Sequence, residues 1–325
     1  MRKGKLTNEE LNSCLSVIKN NNEDLVALKG GIGEDCAVVK GFGDMLVTSD
    51  PITAETENAG ELAMRVSAND IYSSGGIPLI ATLTVIVPPT SETDRIAKII
   101  SDAERVAEEL GITIVGGHTE FSDSVVREIV SVTMIGKPRG KDTVSTGGGK
   151  EGDTLFMTKY AAIEGTAILA ARHKELIDDR DREELDTVNS SLSIAKDSML
   201  AVEAGVHAMH DVTEGGVFGA VCEMAAASGV GALVSVKDIP VLNVTRKLAK
   251  RLKISPMRLI SSGSLLIATD DADRLKEAFR GSGILLTEIG RLGGEKTVAD
   301  HGDRLEEISV TADELFTAEK EGMNL

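Results

Sequence analysis

The sequence contains no tryptophan and few other aromatic residues, which together make up 2% of the chain. Aliphatic side chains must therefore fill any packed interior, and hydrophobic residues, at 42% of the chain, are sufficient for this. The three cysteines, Cys14, Cys36 and Cys222, are odd in number and lie far apart. This excludes a disulfide framework and a cysteine-based zinc site. A reduced, cytoplasmic setting is the expectation.

Basic residues are in deficit, with 35 Lys and Arg against 52 Asp and Glu, for a formal net charge of −17. Such a surface repels nucleic acid and anionic membranes, so we expect neither as a partner. No apolar stretch approaches the roughly 20 residues of a membrane span. The basic residues at the N-terminus are not followed by the apolar segment that a signal peptide requires. We therefore expect no signal peptide here. An anionic ligand such as a nucleotide would need a metal ion to offset the repulsion.

A chain of 325 residues is longer than one hydrophobic core usually extends, which predicts two domains. The glycine-rich stretch Gly136–Lys150 is the clearest break in composition, and we place the domains at residues 1–140 and 151–325. Gly147–Lys150 lacks the first glycine and the final Ser or Thr of a phosphate-binding loop, so it is interpreted as a flexible linker. Apolar runs typical of strands alternate with helical patterns in both halves, which indicates an α/β or α+β fold.

Hydrophobic spacing predicts the individual elements. The strongest pattern is Thr93–Leu110, where apolar residues recur at helical spacing until Gly111 ends the helix. Residues 79–87 read as a strand that stops at two prolines, and residues 112–115 as a buried strand. Further helices are predicted over residues 8–19, 60–74, 165–172, 192–204 and 217–228.

Acidic residues and glycines recur at the ends of apolar runs. These segments are 33–35, 48–50, 68–70, 116–120 and 210–216. Carboxylates suit Mg²⁺, which in turn holds nucleotide phosphates, and neighbouring glycines let backbone N–H groups approach those phosphates. Aspartate in a turn is ordinarily a cap or a solvated charge. Asp70, however, lies in an apolar-faced helix, where aspartate has poor propensity, so it is the strongest candidate.

Two of these segments offer contacts to phosphate. Gly116-Gly117 permits close approach of a ligand, Glu120 completes a metal shell, and His118 serves as a ligand or proton carrier. The alternative is a tight turn with His118 at the surface. Thr213 and Gly215 precede a helix whose free N–H groups and dipole favour an anion. The alternative there is that Thr213 only caps the helix.

In their order and flanking residues, these segments resemble the aminoimidazole ribonucleotide (AIR) synthetase superfamily. That superfamily includes thiamine-monophosphate kinase, selenophosphate synthetase and the hydrogenase maturation protein HypE. The segments that carry the resemblance are 33–37, 48–51, 68–78 and 116–120 in the first half. In the second half, 158–172, 211–216, 223–229 and 239–241 are most similar to HypE.

The resemblance implies a two-lobed fold with a C-terminal α/β lobe, whose N-terminal lobes pair into a β-barrel in a homodimer. It also implies ATP and Mg²⁺ in the cleft between lobes, and ATP-dependent activation of an amide, carbamoyl or other small acceptor oxygen, with hydrogenase maturation as the pathway. The implied metal ligands are Asp35, Asp50, Asp70, Glu120 and Asp211, and the implied catalytic residues are Asp70, Glu120 and Asp211. The nucleotide-binding residues are Gly33, Asp35, Asp50, Asp70, Gly116, Gly117, Thr213 and Gly215.

Three departures from HypE leave two rival hypotheses open. HypE carries its chemistry on a C-terminal cysteine, whereas no cysteine follows Cys222 here. His118 occupies a position that is usually acidic, and Glu214 one that is commonly arginine. The rivals are a phosphotransferase resembling thiamine-monophosphate kinase and a non-catalytic ATP-binding scaffold in a maturation complex.

Overall fold

The computed structural model describes residues 26–28, 36–39, 43–53, 56–189 and 192–322. These residues form two compact units, the first ending at Thr143 and the second beginning at Val144. We call them the N-terminal unit and the C-terminal unit and describe each by itself.

The two units part within the segment that separates the predicted domains, residues 1–140 and 151–325. The assignment of ATP and Mg²⁺ binding to the first of these domains stays a prediction. The predicted helix over residues 8–19 and the site residues Gly33 and Asp35 lie outside the described residues.

The N-terminal unit is a six-stranded sheet whose apolar face is covered by helices. Its strands are β1 (Val26–Leu28), β2 (Ala37–Val39), β3 (Met45–Ile52), β4 (Gly76–Val87), β5 (Thr113–Phe121) and β6 (Ile129–Pro138), and its helices are α1 (Ala59–Ser73) and α2 (Thr93–Leu110). The strand order is β1-β2-β3-β6-β4-β5, and only β4 and β5 pair in parallel.

Helix α2 has the bounds predicted from its hydrophobic spacing. Its core-facing residues, Ile96, Ile99 and Val106 among them, are buried. Gly111 adopts a left-handed conformation with φ of 70° and donates its N–H to the carbonyls of the last turn. This conformation has little cost only for glycine, which is why the helix ends there.

Helix α1 matches the prediction over residues 60–74 within one residue at each end. It approaches α2 at Gly60, where an added Cβ would lie 2.0 Å from the Ile99 carbonyl oxygen. Because only glycine permits this backbone contact, Gly60 sets how closely the two helices pack.

Strand β5 corrects the prediction of a buried strand over residues 112–115 followed by a turn. The strand begins at Thr113 and continues through the Gly116–Glu120 segment to Phe121. Val115 is 57% exposed, because β5 is an edge strand. The glycine pair serves strand pairing instead of a turn, since a Cβ on Gly117 would lie 1.8 Å from the Leu83 carbonyl oxygen.

The Thr48–Asp50 segment is likewise part of a strand. It lies in the middle of β3, where Thr48 pairs with Met134 and Asp50 with Val132 of β6. The apolar run that precedes it does not end the strand, because the polar residues continue the same ladder of backbone hydrogen bonds.

The C-terminal unit contains a seven-stranded sheet in the order β13-β12-β9-β11-β7-β10-β8. Its strands are β7 (Thr154–Thr158), β8 (Ala208–Val212), β9 (Ala232–Ser235), β10 (Ser264–Thr269), β11 (Leu286–Leu292), β12 (Thr297–Asp300) and β13 (Leu305–Glu307). Its helices are α3 (Ile163–Arg172), α4 (Asp179–Asn189), α5 (Ala195–Ala204), α6 (Gly216–Ala227), α7 (Asn243–Leu252), α8 (Ala272–Phe279) and α9 (Glu314–Gly322).

Two apolar clusters stabilise this unit. Helix α6 packs on one face of the sheet, where Val217 and Val221 belong to one buried cluster with residues such as Leu155 and Leu266. A second cluster joins α3, α7 and α9 and includes Ile163 and Leu248. Aliphatic residues dominate both clusters, as the scarcity of aromatic residues requires.

The Gly147–Lys150 segment is a packed turn, which corrects the interpretation as a flexible linker. A Cβ on Gly148 would lie 2.2 Å from the His207 carbonyl oxygen, and one on Gly149 would lie 2.5 Å from Leu292 Cδ1. The glycines are therefore needed for close packing against the rest of the unit.

No helix among the described residues is both long enough and apolar enough to cross a membrane.

Candidate functional site

Asp70 lies near the C-terminal end of α1 and is 6% exposed. Its Oδ2 accepts a hydrogen bond of 2.6 Å from the Thr48 hydroxyl on β3. Its main-chain carbonyl accepts from the Cys36 thiol at 3.2 Å and from the Ser73 hydroxyl at 2.9 Å. The carboxylate is thus oriented toward β3 by the Thr48 hydroxyl, whereas Cys36 and Ser73 contact the backbone at Asp70.

Asp50 lies on the same face of β3 as Thr48. Side chains alternate along a strand, so residues 46, 48 and 50 share one face. That face meets α1, because Leu46 and Met134, the β6 partner of Thr48, are fully buried and both strands contact the helix. Thr48 and Asp70 are in contact, and Asp50 shares the strand face of Thr48. We call these three residues the α1–β3 acidic group.

The α1–β3 acidic group fits a hard divalent cation in its chemistry. It supplies two carboxylates and one hydroxyl, and Mg²⁺ in proteins is commonly held by one or two carboxylates, with water and phosphate oxygens completing its shell. No cluster of three or more His, Cys, Asp or Glu side chains suited to a metal occurs within the described ranges. The third predicted aspartate of this half, Asp35, lies outside them.

Glu120 is not brought to the α1–β3 acidic group within one chain. It pairs with Ile86 of β4, whereas its neighbours Thr119 and Phe121 pair with the buried residues Val85 and Val87. Glu120 therefore projects from the sheet face opposite α1, and β6 and β4 separate its strand from β3. Its carboxylate lies 3.4 Å from His118 Nε2, and both side chains are about half exposed or more, at 48% and 64%.

Gly116 and Gly117 lie on the same edge strand. An added Cβ on Gly116 would meet nothing within 4 Å. Space for a ligand exists beside Gly116, while the backbone of Gly117 is committed to its contact with β4.

Asp211 lies inside β8, which corrects the prediction that His210–Val212 belongs to a turn. Asp211 is 2% exposed and projects from the sheet face opposite that of its neighbour His210. His210 faces α6, where its Nε2 lies 3.1 Å from Glu223 Oε2. The histidine and the aspartate thus have separate surroundings.

The glycines at the start of α6 hold an internal carboxylate. The N–H of Gly215 donates to Asp313 Oδ2 at 2.7 Å, and the N–H of Gly216 donates to the Thr213 carbonyl at 3.1 Å. The cap residue is Gly215 with φ of 86°, and no side chain caps the helix, so the alternative of a Thr213 cap is wrong. In this structure, the N–H of Gly215, a residue predicted to contact the nucleotide, is bonded to Asp313.

Asp313 is poorly solvated and surrounded by acids. It is 2% exposed and also accepts from the N–H of Leu315 at 2.8 Å. Burial raises the pKa of Asp313 to about 6, and the nearby charge of Glu214 contributes in the same direction. Burial also raises the pKa of Glu164, and the charge of Asp313 raises it further. Extra negative charge is therefore disfavoured here.

Sequence reasoning missed Thr48 and Asp313, as well as a lysine at the end of β7. The Lys159 ammonium donates to the carbonyls of Ser193 at 2.8 Å and Gly263 at 2.9 Å, and lies 3.2 Å from Asp197 Oδ2. Burial lowers the pKa of Lys159. Its sequence signal was weak, because a lysine after a strand is usually solvated.

The sequence matches two family models over most of its length. Residues 33–137 match "AIR synthase related protein, N-terminal domain", and residues 150–302 match "AIR synthase related protein, C-terminal domain". The described residues of the two matches fall in the N-terminal and C-terminal units, respectively.

Several curated proteins are similar in sequence. A putative hydrogenase expression/formation protein of Methanocaldococcus jannaschii is 26% identical over 80% of this chain and 80% of its own length. A selenide, water dikinase of Dechloromonas aromatica is 31% identical over 61% of this chain, and the match spans 55% of that protein. A carbamoyl dehydratase HypE of Cupriavidus necator is 27% identical over 68% of this chain and 63% of its own length.

Solved structures of related proteins share the fold. The HypE–HypF complex contains a chain with a TM-score of 0.76 and 21% identity, covering 92% of this chain and 98% of that one. HypE in complex with ATP matches with a TM-score of 0.70 and 18% identity over 97% of both chains. A ThiL protein complexed with AMPPCP and TMP matches with a TM-score of 0.71 and 19% identity, covering 90% of this chain and 91% of that one.

Proposed function

The chain belongs to the AIR synthase related family, and on this premise we propose that it is an ATP- and Mg²⁺-dependent enzyme. Its reaction uses ATP to activate a carbamoyl, amide or other small acceptor oxygen, as the HypE relatives suggest. ATP as cofactor is supported by two related structures, HypE in complex with ATP and ThiL complexed with AMPPCP and TMP.

The observation that carries the proposal is the α1–β3 acidic group. Asp50 and Asp70 would hold the metal with their carboxylates, and the Thr48 hydroxyl would fix the rotamer of Asp70. A bound Mg²⁺ would neutralise the phosphate charge and so favour transfer of a phosphoryl group or loss of phosphate. The protein's share of catalysis is then positioning, because phosphoryl transfer depends mainly on orientation and electrostatic stabilisation.

A turnover assay tests this role. ATP hydrolysis by the wild-type chain is expected to require Mg²⁺, and Asp70→Asn is expected to lower kcat/KM by about 100-fold or more, as loss of a metal-binding charge does. Asp123→Asn is the matched control, since Asp123 is an exposed aspartate of the same unit. Equal activity of the Asp70 variant and wild type, or full activity with a chelator, would contradict the proposal. Binding of ATP without turnover would favour a scaffold.

Phosphoryl transfer to a small acceptor is the second candidate function. It is favoured by the 31% identity to a selenide, water dikinase and by the structural similarity to ThiL. Incubation with ATP and either selenide or thiamine monophosphate distinguishes the candidates. A phosphorylated acceptor would support phosphoryl transfer, whereas phosphate release that depends on a carbamoyl compound would support the first candidate.

A second copy of the chain is the partner that the sheet of the N-terminal unit fits best. Edge strand β5 leaves one row of backbone groups without a neighbouring strand among the described residues, and Val115 and Phe121 on it are 57% and 49% exposed. Exposed edges of this kind pair readily with another strand. Light scattering should therefore give a dimer mass, and a Val115→Lys variant should shift it toward the monomer. A dimer that Val115→Lys leaves unchanged would contradict this interface.

A maturation pathway would add a protein partner, as the complex between HypE and HypF suggests. The described cysteines, Cys36 and Cys222, are buried thiols. Buried thiols agree with the proposed cytoplasmic setting.

A further inference from the structure

Three polar side chains of the C-terminal unit form a chain that the proposed nucleotide chemistry does not use. His207 Nδ1 lies 2.9 Å from Asp153 Oδ2, and His207 Nε2 lies 3.0 Å from Lys150 Nζ. The side chain of Asp153 is 2% exposed and that of His207 is 16% exposed, whereas Lys150 is exposed. The chain leads from a buried carboxylate to an amine at the surface, and we call it the Asp–His–Lys chain.

Rigid elements hold the Asp–His–Lys chain in place. Asp153 directly precedes β7, and its Oδ2 accepts the backbone N–H of Lys150 at 2.8 Å, which closes the glycine turn. His207 directly precedes β8, and its N–H donates to the Ala268 carbonyl on β10 at 2.9 Å. Gly148 packs on the His207 carbonyl, so the turn that carries Lys150 cannot move independently of the histidine.

The arrangement makes His207 a proton acceptor for Lys150. The buried carboxylate of Asp153 selects the tautomer with the proton on Nδ1, which leaves the lone pair of Nε2 directed at the lysine. An acid, a histidine and a nucleophile in this order activate the nucleophile by general base catalysis. Asp270 Oδ1, 3.5 Å from Nε2, adds a second carboxylate that stabilises the imidazolium once it forms.

We propose that Lys150 is a site of covalent acylation, and that its reagent is an acyl phosphate. The doubly charged phosphate is attracted by the Lys150 ammonium, and it leaves readily when an amine attacks the acyl carbon. This inference does not depend on the nucleotide site, because no residue of the α1–β3 acidic group takes part.

The step balances without any further reactant. Lys150 first loses one proton to solvent, and the free amine then forms an N–C bond to the acyl carbon. The C–O bond to phosphate breaks, and its electron pair leaves with the phosphate. The second amine proton passes to His207 Nε2 and from there to the departing phosphate. The products are a neutral amide, hydrogen phosphate and one released proton.

Acetyl phosphate is the probe for the test, applied to the full chain without nucleotide. Peptide mass spectrometry follows acetylation of Lys150 and of Lys237, an exposed lysine of the same unit. General base catalysis predicts that Lys150 reacts at least about ten times faster than Lys237. His207→Gln should lower the rate at Lys150 to that of Lys237 while leaving Lys237 unchanged, and Lys150→Arg should remove the fast site.

Equal rates at the two lysines, or a fast Lys150 in His207→Gln, would overturn the proposal. If that variant fails to fold, a pH series on the wild type replaces it. The groups that face His207 are Asp153, Asp270 and Lys150. Once acid protonates a histidine, it no longer accepts a proton, so the ratio of the two rates should fall toward one as the pH falls. A ratio that stays constant with pH would also overturn the proposal.

Discussion

Each unit contains a segment in which an acid stands near glycines or polar residues after an apolar run. The two segments form different structures. In the N-terminal unit, Asp70 faces Thr48 across a helix–strand contact, and Asp50 shares the same strand face. In the C-terminal unit, the backbone N–H at the start of α6 is held by the carboxylate of Asp313. A glycine-rich helix start therefore does not define an anion site by itself, since the protein can supply the anion.

The largest difference in the free energy of unfolding is expected between substitutions at a glycine of each unit. At Gly216, φ is 62° and an added Cβ would lie 2.6 Å from the Met257 carbonyl oxygen, whereas a Cβ on Gly116 meets nothing within 4 Å. Gly216→Val should lower the free energy of unfolding by about 3 kcal/mol or more, and Gly116→Ala by less than about 1 kcal/mol. Urea unfolding measures both, and similar losses would show that the two glycines are not distinguished by packing.

The buried carboxylate of Asp313 makes the stability of the C-terminal unit depend on pH. An unfolded aspartate titrates near 3.9, roughly two units below the native pKa of Asp313, which is about 6. The native state therefore retains the proton where the unfolded state has lost it. The stabilisation is complete below about pH 4 and is lost as the pH rises through about 6, and it amounts to on the order of 3 kcal/mol.

Asp313→Asn removes this titration while keeping an oxygen that can accept from Gly215. As the pH rises from about 4 to about 7, the free energy of unfolding of the variant should therefore increase relative to that of the wild type. Denaturant unfolding at several pH values provides the measurement. A difference that does not vary with pH would mean that Asp313 titrates normally.

Thr48→Val tests whether the hydroxyl matters to the N-terminal site. Loss of a hydrogen bond to a metal-binding carboxylate typically costs about 10-fold or more in metal affinity, so the Mg²⁺ concentration for half-maximal activity should rise by about 10-fold. Thr48→Ser keeps the hydroxyl and should retain most of the Mg²⁺ affinity. Equal Mg²⁺ requirements for Val and Ser variants would separate Thr48 from the function of Asp70.

The smallest effect is expected at Glu120. Its carboxylate is 48% exposed on the sheet face opposite α1, so Glu120→Gln should change the Mg²⁺ requirement by less than about twofold. Titration of ATPase activity with Mg²⁺ is the measurement. An effect as large as that of Thr48→Val would restore Glu120 to the metal site, for instance through contact with a second copy.

Much of the fold could be predicted from local patterns. Helix α2 has the predicted bounds because its apolar spacing and Gly111 act within the segment itself. Strand β5 could not be predicted in the same way, because its exposure depends on its place at the edge of the sheet. Asp70 was identified because an acid inside an apolar-faced helix needs a partner, although the sequence does not indicate that the partner is Thr48.

The position of Asp313 had no local signal at all. It lies 98 residues from Gly215 in the chain, and only the packing of α9 brings the two together. The interpretation of Gly147–Lys150 as a linker was wrong for a related reason. Glycines in a flexible linker and glycines in a close contact look the same in a sequence. Long-range packing decides between these meanings, and a single sequence does not display it.

Calorimetric titration of Mg²⁺-ATP into the wild type and Asp70→Asn tests the central claim most directly, with Asp313→Asn as the corresponding change in the C-terminal unit. We predict that Asp70→Asn weakens binding by about 10-fold or more, as loss of a metal ligand does, and that Asp313→Asn leaves the affinity within about twofold. Unchanged affinity in Asp70→Asn together with a large change in Asp313→Asn would contradict the assignment of the metal to the N-terminal unit.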